Sequence, residues 1–364
     1  MAKRVFINGS ILHEQPSGLG IYAENVIKQI GRKNKDIKVF CPVDIQGVEV
    51  IKITDKVKPS YGKKGGFFRF LWTQLVLPFK VGKEDILYHP FQYISFLSRA
   101  RQVITIHDFI PVHYPEVAKH QYYYYKYIMP FLLRKAEKIV CISENTKKDL
   151  LDLYKVDESK IKVVYNGYDK NVFNREKKNK GVLQKYGIDK DYIIMVGAAY
   201  PHKNLESVLK AFSQIKDKTD YKVVIVGKGS AYVEKLKAMT AELNISDRVI
   251  FLGYVDGQDL PALYYFAKAF VYPTLYEGFG LPILEAAACG TAVICGDNSS
   301  LPEAAGEGAE FFDARSVESI KQALEAVLFD ENHRLELIRK GEENLKNFSW
   351  EKTGEEIYNF ITKG

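Results

Sequence analysis

Short apolar runs rich in β-branched residues recur along the chain, and many are followed by a longer stretch whose apolar positions return every three or four residues. In the first half the short runs are RVFING, DIKVF, DILYH, QVITIHD, KIVCIS and KVVYNG. Helical period follows in GIYAENVIKQI, HQYYYYKYIMPFLLRKA and ENTKKDLLDLY. After Gly167 comes a polar stretch, DKNVFNREKKNKG, and the alternation begins again with DYIIMVG, YKVVIVGKG, RVIFLGYV, AFVYPT and TAVICGD. Between these lie helical patterns around NLESVLKAF, YVEKLKAMTAEL, LPALYYFA and PILEAAACG. Strands alternating with helices predict parallel sheets covered on both faces. The restart predicts two of them. The expected fold is α/β, with two Rossmann-like doubly wound domains facing across a cleft, one over 1–170 and the other over 171–348. The amphipathic segment Phe348 to Ile361 is expected to form a helix within 349–364 that packs back on the first domain.

Size and composition agree with this picture. At about 100 to 200 residues per domain, 364 residues make two or three domains and exclude a small binding module. Hydrophobic residues at 46% and charged residues at 27% exclude disorder and fibrous repeats. The four cysteines, Cys41, Cys141, Cys289 and Cys295, lack zinc-type spacing and read as reduced thiols. The start, MAKRVFING, lacks the apolar core of a signal peptide, and no run approaches about 18 apolar residues. A cytoplasmic protein is expected.

The net charge of +7 is uneven. Residues 1–170 carry 28 Lys and Arg against 17 Asp and Glu, leaving 24 against 28 for the remainder. The basic half lacks the clustering of a nucleic-acid site. It suits an anionic ligand or an anionic membrane surface, or it is ordinary solubilising charge.

In open parallel sheets, ligands bind beyond the carboxyl ends of the strands. Several unusual residues fall in loops of that kind. Ser17-Gly18-Leu19-Gly20 precedes a helix and would let backbone amides approach a phosphate, or would simply make a tight turn. It lacks the third glycine of a dinucleotide fingerprint. His107-Asp108 ends the run QVITI, where the imidazole could meet a ligand or bond a backbone carbonyl; His89 is a weaker case. His202-Lys203-Asn204 sits between a strand and a helix, so that Lys203 could hold a diphosphate as a point charge or remain solvated.

The segment YPTLYEGFGLPILEAA, Tyr272 to Ala287, says most. Glu277 and Glu285 flank the turn Gly278-Phe279-Gly280, and Pro282 opens an apolar helix whose first amides lack intrahelical partners. Glu285, one turn inside that helix, needs donors: ligand hydroxyls or a structural cation. Three other features read otherwise. Asp189-Lys190-Asp191 matches the metal-binding DxD pattern but opens a strand, at the wrong sheet edge, and is read as a turn. The tyrosines 122–125 with Tyr127 read as part core and part surface. Lys63 to Trp72 mixes cations with aromatics, as a membrane-surface segment or as a loop leading into a buried amphipathic helix.

The order of these motifs resembles the retaining glycosyltransferases of family 4, of GT-B architecture, and bacterial mannosyltransferases among them. The likeness runs through Gly18/Gly20, TIHD at 105–108, KIVCISENTKKDL at 138–150, YNGYD at 165–169 and VGAAYPHKN at 196–204. It continues through VGKGS at 226–230, EGFGLPILE at 277–285 and FSWEKT at 348–353. The resemblance implies that Lys203 holds the diphosphate of a nucleotide sugar and that the Gly20 amide approaches it. It implies that Glu285 receives the ribose hydroxyls, and that Glu277 and the amides of Phe279, Gly280 and Leu281 hold the sugar and phosphate. His107 would contact the transferred sugar. Where relatives carry an arginine near the lysine, this chain has Ala198 and His202, so that either His202 or another basic residue supplies the second cation.

The activity so implied is transfer of a hexose, mannose favoured and GDP-mannose the favoured donor, to a lipid-linked glycan of a cell-envelope polysaccharide. The nucleotide sugar serves as co-substrate, no metal or other cofactor is required, and no nucleic acid is a partner. The protein would be cytoplasmic, with peripheral contact to the membrane's inner face. A GT-B nucleotide-sugar epimerase and a non-catalytic glycan-binding scaffold are the alternatives.

Overall fold

The computed structural model describes residues 4–14, 18–176 and 178–363. Ser17 of the glycine motif lies outside them. The chain divides into two compact units, one of Met1–Gly167 with Ser349–Gly364 and one of Tyr168–Phe348. The boundary expected at 170/171 thus falls at Gly167/Tyr168, and the last helix belongs to the first unit.

The first unit is built on seven strands: β1 (Val5–Asn8), β2 (Lys38–Cys41), β3 (Glu49–Lys52), β4 (Ile86–His89), β5 (Arg101–Ile106), β6 (Lys138–Cys141) and β7 (Ile161–Val163). Their order is β3-β2-β1-β4-β5-β6-β7, and every pairing is parallel. The chain works outward from β1 to β3, then returns to β4 and works outward the other way. The switch therefore lies between β1 and β4. There the helix α1 (Leu19–Lys33) starts, capped by Gly18 with φ 44°.

The second unit repeats the plan with β8 (Tyr192–Val196), β9 (Lys222–Val226), β10 (Val249–Gly253), β11 (Ala269–Tyr272), β12 (Ala292–Gly296) and β13 (Ala309–Phe312). The order β10-β9-β8-β11-β12-β13, again parallel throughout, places its switch between β8 and β11. Alternate strand residues such as Ile193, Met195, Val223, Ile225 and Val271 pack against Leu205, Val208, Leu209 and Phe212 of the helix Leu205–Ser213. This apolar layer supports the carboxyl ends of the strands.

Two strands, β3 and β13, were absent from the expected set. Both are sheet edges, four residues long with partly exposed middles, so neither carries the continuous apolar run that marks a buried parallel strand. The segment around Lys63 departs further from expectation. Helix α2 (Gly62–Leu75) takes in Lys63, Lys64 and both following glycines, so no loop precedes it. Arg69, Trp72 and Thr73 face inward, while Phe67 and Phe68 stand 60% and 40% exposed.

The returning helix, Trp350–Thr362, packs along α1. Gly167 makes this crossing possible. A Cβ there would sit 2.1 Å from the Trp350 nitrogen, so any side chain would push the two backbone segments apart. Trp350 in turn meets Tyr22 of α1 edge-on at 5.9 Å.

Candidate active site

In the second unit, three loops meet at the carboxyl ends of β8, β11 and β12. The first, after β8, carries His202, Lys203 and Asn204. Asn204 adopts a left-handed conformation (φ 56°). Its amide nitrogen donates to the Pro273 carbonyl at 3.2 Å and the Ala314 carbonyl at 2.7 Å, fixing the residue next to Lys203. The backbone carbonyl of His202 accepts from the Leu275 amide at 2.8 Å and the Thr274 hydroxyl at 3.3 Å, which ties this loop to the one after β11.

Lys203 and Glu277 form an ion pair with side chains 16% and 13% exposed. Tyr272, at the end of β11, donates its hydroxyl to Glu277 Oε1 at 2.7 Å, and the Lys203 ammonium lies 5.8 Å from the Tyr272 ring centre. Burial would raise the Glu277 pKa. The Lys203 charge and the bonds from Lys203 and Tyr272 outweigh it and hold the carboxyl below its ordinary range. The third loop clamps the Glu277 backbone. Its carbonyl accepts from the hydroxyls of Ser299 at 2.7 Å and Ser300 at 2.9 Å, and its amide donates to Ser299 Oγ at 3.1 Å.

Beyond Glu277 the chain turns through Gly280, at φ 104°, into the helix Leu281–Ala288. Glycine is required there by both conformation and space: a Cβ would lie 3.2 Å from Leu301. The amides of Gly280 and Leu281 sit at a helix start, where anions are favoured. Phe279 is 2% exposed and packs its ring on Phe348, so its side chain belongs to the core and only its backbone can serve a ligand.

Glu285 has no cation partner among the described residues. Among the described residues its carboxylate receives one hydrogen bond, a long one from Tyr264 at 3.5 Å, and burial raises its pKa to about 7. The structural salt bridge considered for Glu285 is therefore not present. A carboxylate so placed retains most of its acceptor capacity.

His202 is uncharged in this site. Burial and the adjacent Lys203 lower its pKa to about 4, leaving a neutral imidazole stacked on Tyr200 at 5.9 Å. Another basic residue on the same sheet edge is Lys228, in the loop after β9, exposed and 5.5 Å from the Tyr254 ring centre.

The first unit brings together the other candidates. Gly18 and Gly20 open α1, and two residues later Tyr22 sets its ring edge-on against His107, at 4.5 Å and 87°. His107 follows β5, is 5% exposed, and donates Nε2–H to the Pro90 carbonyl at 2.9 Å. A carbonyl only accepts, so Nε2 carries the proton. Burial lowers the pKa of this histidine to about 4, which leaves Nδ1 as an acceptor. His89 is instead a core residue, fully buried between Asn8 and Gln102, each at 3.2 Å.

The other motifs fall into place. Asp191 precedes β8, at the opposite edge from these loops, and pairs with Lys268 at 3.0 Å. Of the tyrosine run, Tyr125 is buried, whereas Tyr123 and Tyr127 stack on each other in the open at 6.2 Å. All four cysteines are buried and free. The sequence reading missed Ser299, Ser300 and the hydroxyls of Tyr264 and Tyr272. Ser299 and Ser300 come two and three residues after TAVICGD, so the rule that ligands gather after strand ends would have flagged them.

Residues 16–172 match the model of Glycosyltransferase Family 4, and residues 177–344 match that of glycosyl transferases group 1. The chain is 30% identical over 256 residues to the O-antigen chain mannosyltransferase RfbU of Salmonella typhimurium, spanning 70% of this chain and 68% of the relative. It is 26% identical over 355 residues to O-antigen chain mannosyltransferase B of Escherichia coli, spanning 92% and 93%. Among solved structures, a glycosyltransferase from Rickettsia africae superposes with a TM-score of 0.73 over 100% of this chain and 99% of that one, at 18% identity. WaaG, a glycosyltransferase involved in lipopolysaccharide biosynthesis, gives a TM-score of 0.73 over 99% and 100%, at 14% identity.

Proposed function

This chain belongs to glycosyltransferase family 4, with the GT-B fold, and from that premise we propose that it moves a hexose with retention of configuration from a nucleotide diphosphate sugar to a glycan acceptor. Mannose is the favoured sugar and GDP-mannose the favoured donor, because two O-antigen mannosyltransferases are among the similar proteins. The same likeness supports an acceptor in polysaccharide synthesis, and a lipid-linked one is part of the proposal.

The observation that carries the reading is the grouping of Lys203, Glu277, the amides of Gly280 and Leu281, and the under-satisfied Glu285 on one sheet edge. Lys203 and the helix amides would face the diphosphate. Glu285 would accept the two ribose hydroxyls, and Glu277 a sugar hydroxyl. In the first unit, Gly18 and Gly20 offer amides to an anion, and His107 Nδ1 can accept from a sugar hydroxyl.

Transfer with retention can proceed on one face. The bond from the anomeric carbon to the donor phosphate oxygen breaks, the acceptor oxygen bonds to the same carbon, and its proton passes to the departing phosphate. The protein's part is to position the groups and stabilise the developing phosphate charge. Lys203 does this once the diphosphate competes with Glu277 for it, and Lys228 is the second cation of this reading. The mechanism uses no bound metal, so turnover should persist in EDTA.

The experiment is incubation with a panel of nucleotide sugars, with released nucleotide and the sugar product both measured. A transferase releases nucleotide slowly even without acceptor. An epimerase would change the sugar without release, and a scaffold would do neither. The exposed Phe67 and Phe68 on α2, within a strongly basic unit, support docking on an anionic membrane surface where a lipid-linked acceptor would reside.

A further inference from the structure

The first unit holds a cation with no assigned task. Arg69, in the middle of α2, is 7% exposed, and no ion pair or hydrogen bond joins its guanidinium to another described residue. Its Nε is sealed from solvent without a partner. Burial lowers its pKa, against a smaller opposing influence of Tyr93. Its terminal nitrogens are not sealed in this way, so an anion can reach a largely buried guanidinium that is otherwise costly to keep unpaired.

The surroundings are built rather than accidental. Thr73 lies one helical turn after Arg69 on the same face, fully buried, with a hydroxyl that also lacks a partner. The next residue, Gln74, fixes α2 to the loop after β4 by donating to the Ile94 carbonyl at 2.7 Å and accepting from the Phe96 amide at 2.9 Å. That loop carries Tyr93. It is held from the other side by the Tyr124 hydroxyl, which donates to the Gln92 carbonyl at 2.7 Å. It begins at Pro90, whose carbonyl receives the His107 proton. One loop at the carboxyl end of β4 therefore runs from the candidate sugar contact to α2, the helix that carries Arg69.

We propose that Arg69, with the hydroxyl of Thr73, forms a phosphoryl-binding subsite for the acceptor. The guanidinium fork matches two oxygens of a phosphate, and a hydroxyl donor suits a tetrahedral group with a further oxygen to satisfy. A neutral glycan would leave the charge unpaired. The assignment to the acceptor rests on the transferase reading, whereas the anion site itself does not.

The test is calorimetry on the full chain with hexyl phosphate and with inorganic phosphate, with saturating GDP present to occupy any donor site. Hexyl phosphate should bind, and Arg69→Gln should weaken it at least tenfold while GDP affinity changes less than twofold. Hexyl phosphate binding tighter than inorganic phosphate assigns the group to an amphiphile; equal affinities assign it to a soluble sugar phosphate, and both support the subsite. Equal binding of hexyl phosphate to the wild type and a folded Arg69→Gln would overturn it. Should that variant not fold, phenylglyoxal labelling of the unaltered chain decides: hexyl phosphate should shield the Arg69 peptide, and unchanged labelling overturns the proposal. If no nucleotide sugar binds yet the Arg69 effect persists, the transferase reading fails and the subsite stands. If nucleotide sugars bind and the Arg69 effect is missing, the subsite alone fails.

Discussion

Lys203 and Glu277, 74 residues apart in sequence, neutralise each other at the carboxyl edge of the second sheet, where Tyr272 completes the carboxylate's bonding. On the proposed reading, a diphosphate arriving there would meet a lysine already engaged. Donor binding would then exchange one anionic partner for another, which would make the pair a threshold as well as a contact.

Removing one partner leaves the other charge buried. Lys203→Ala should abolish turnover and also lower stability by about 3 kcal/mol, as for other broken buried pairs. The double variant Lys203→Met/Glu277→Gln should recover most of that stability and none of the activity. Denaturant melts beside nucleotide-release assays check both. Full stability in Lys203→Ala would mean that the pair carries no structural weight.

Glu285 gives the site a pH dependence of definite sign. Its pKa is raised from 4.5 to about 7, so the folded state holds a proton that the unfolded chain has lost, and stability from this group falls as pH rises from 4.5 to 7. In the proposed site, ribose hydroxyls would donate to the ionised form. Nucleotide affinity should therefore rise roughly tenfold between pH 6 and pH 8, following the ionised fraction. Glu285→Gln should bind weakly with a flat profile. A wild-type affinity independent of pH would remove Glu285 from the ribose site.

His107 is neutral throughout the physiological range, because burial depresses its pKa to about 4. On the proposed reading it would act as an acceptor that positions a sugar, and His107→Ala should lower turnover about a hundredfold through misplacement. The pH–rate profiles of the two proteins should share one shape between pH 5.5 and pH 8. Loss of an inflection near pH 6.5 in the variant would reveal a titrating imidazole instead. For stability the sign is opposite to that of Glu285: a depressed histidine pKa costs stability as pH falls from 6.5 toward 4.

The basic first unit and its exposed phenylalanines make a membrane prediction. The protein should sediment with anionic vesicles and not with neutral ones, and Phe67→Ser/Phe68→Ser or about 0.5 M salt should release it. Equal binding to both vesicle types would discard electrostatic docking.

Much of this was legible in the chain because buried parallel strands and amphipathic helices write opposite periods. The strands missed, β3 and β13, sit at sheet edges where their middle residues are only partly covered. Lys203, Glu277 and Glu285 stood out as charges in apolar settings at strand or helix ends. What the spacing could not carry was their mutual state. That Lys203 spends its charge on Glu277, that Glu285 lacks a cation, and that His202 is neutral all depend on burial and on partners distant in sequence. Arg69 was hidden for the same reason, since within KKGGFFRFLW it reads as one more surface cation.

The most direct test is calorimetric titration of the wild type, Lys203→Ala and Glu285→Gln with GDP-mannose, UDP-glucose and their nucleoside diphosphates. The account predicts one site per chain for at least one of these nucleotides, weakened in both variants. Absence of binding to every nucleotide, or binding indifferent to both substitutions, would contradict it.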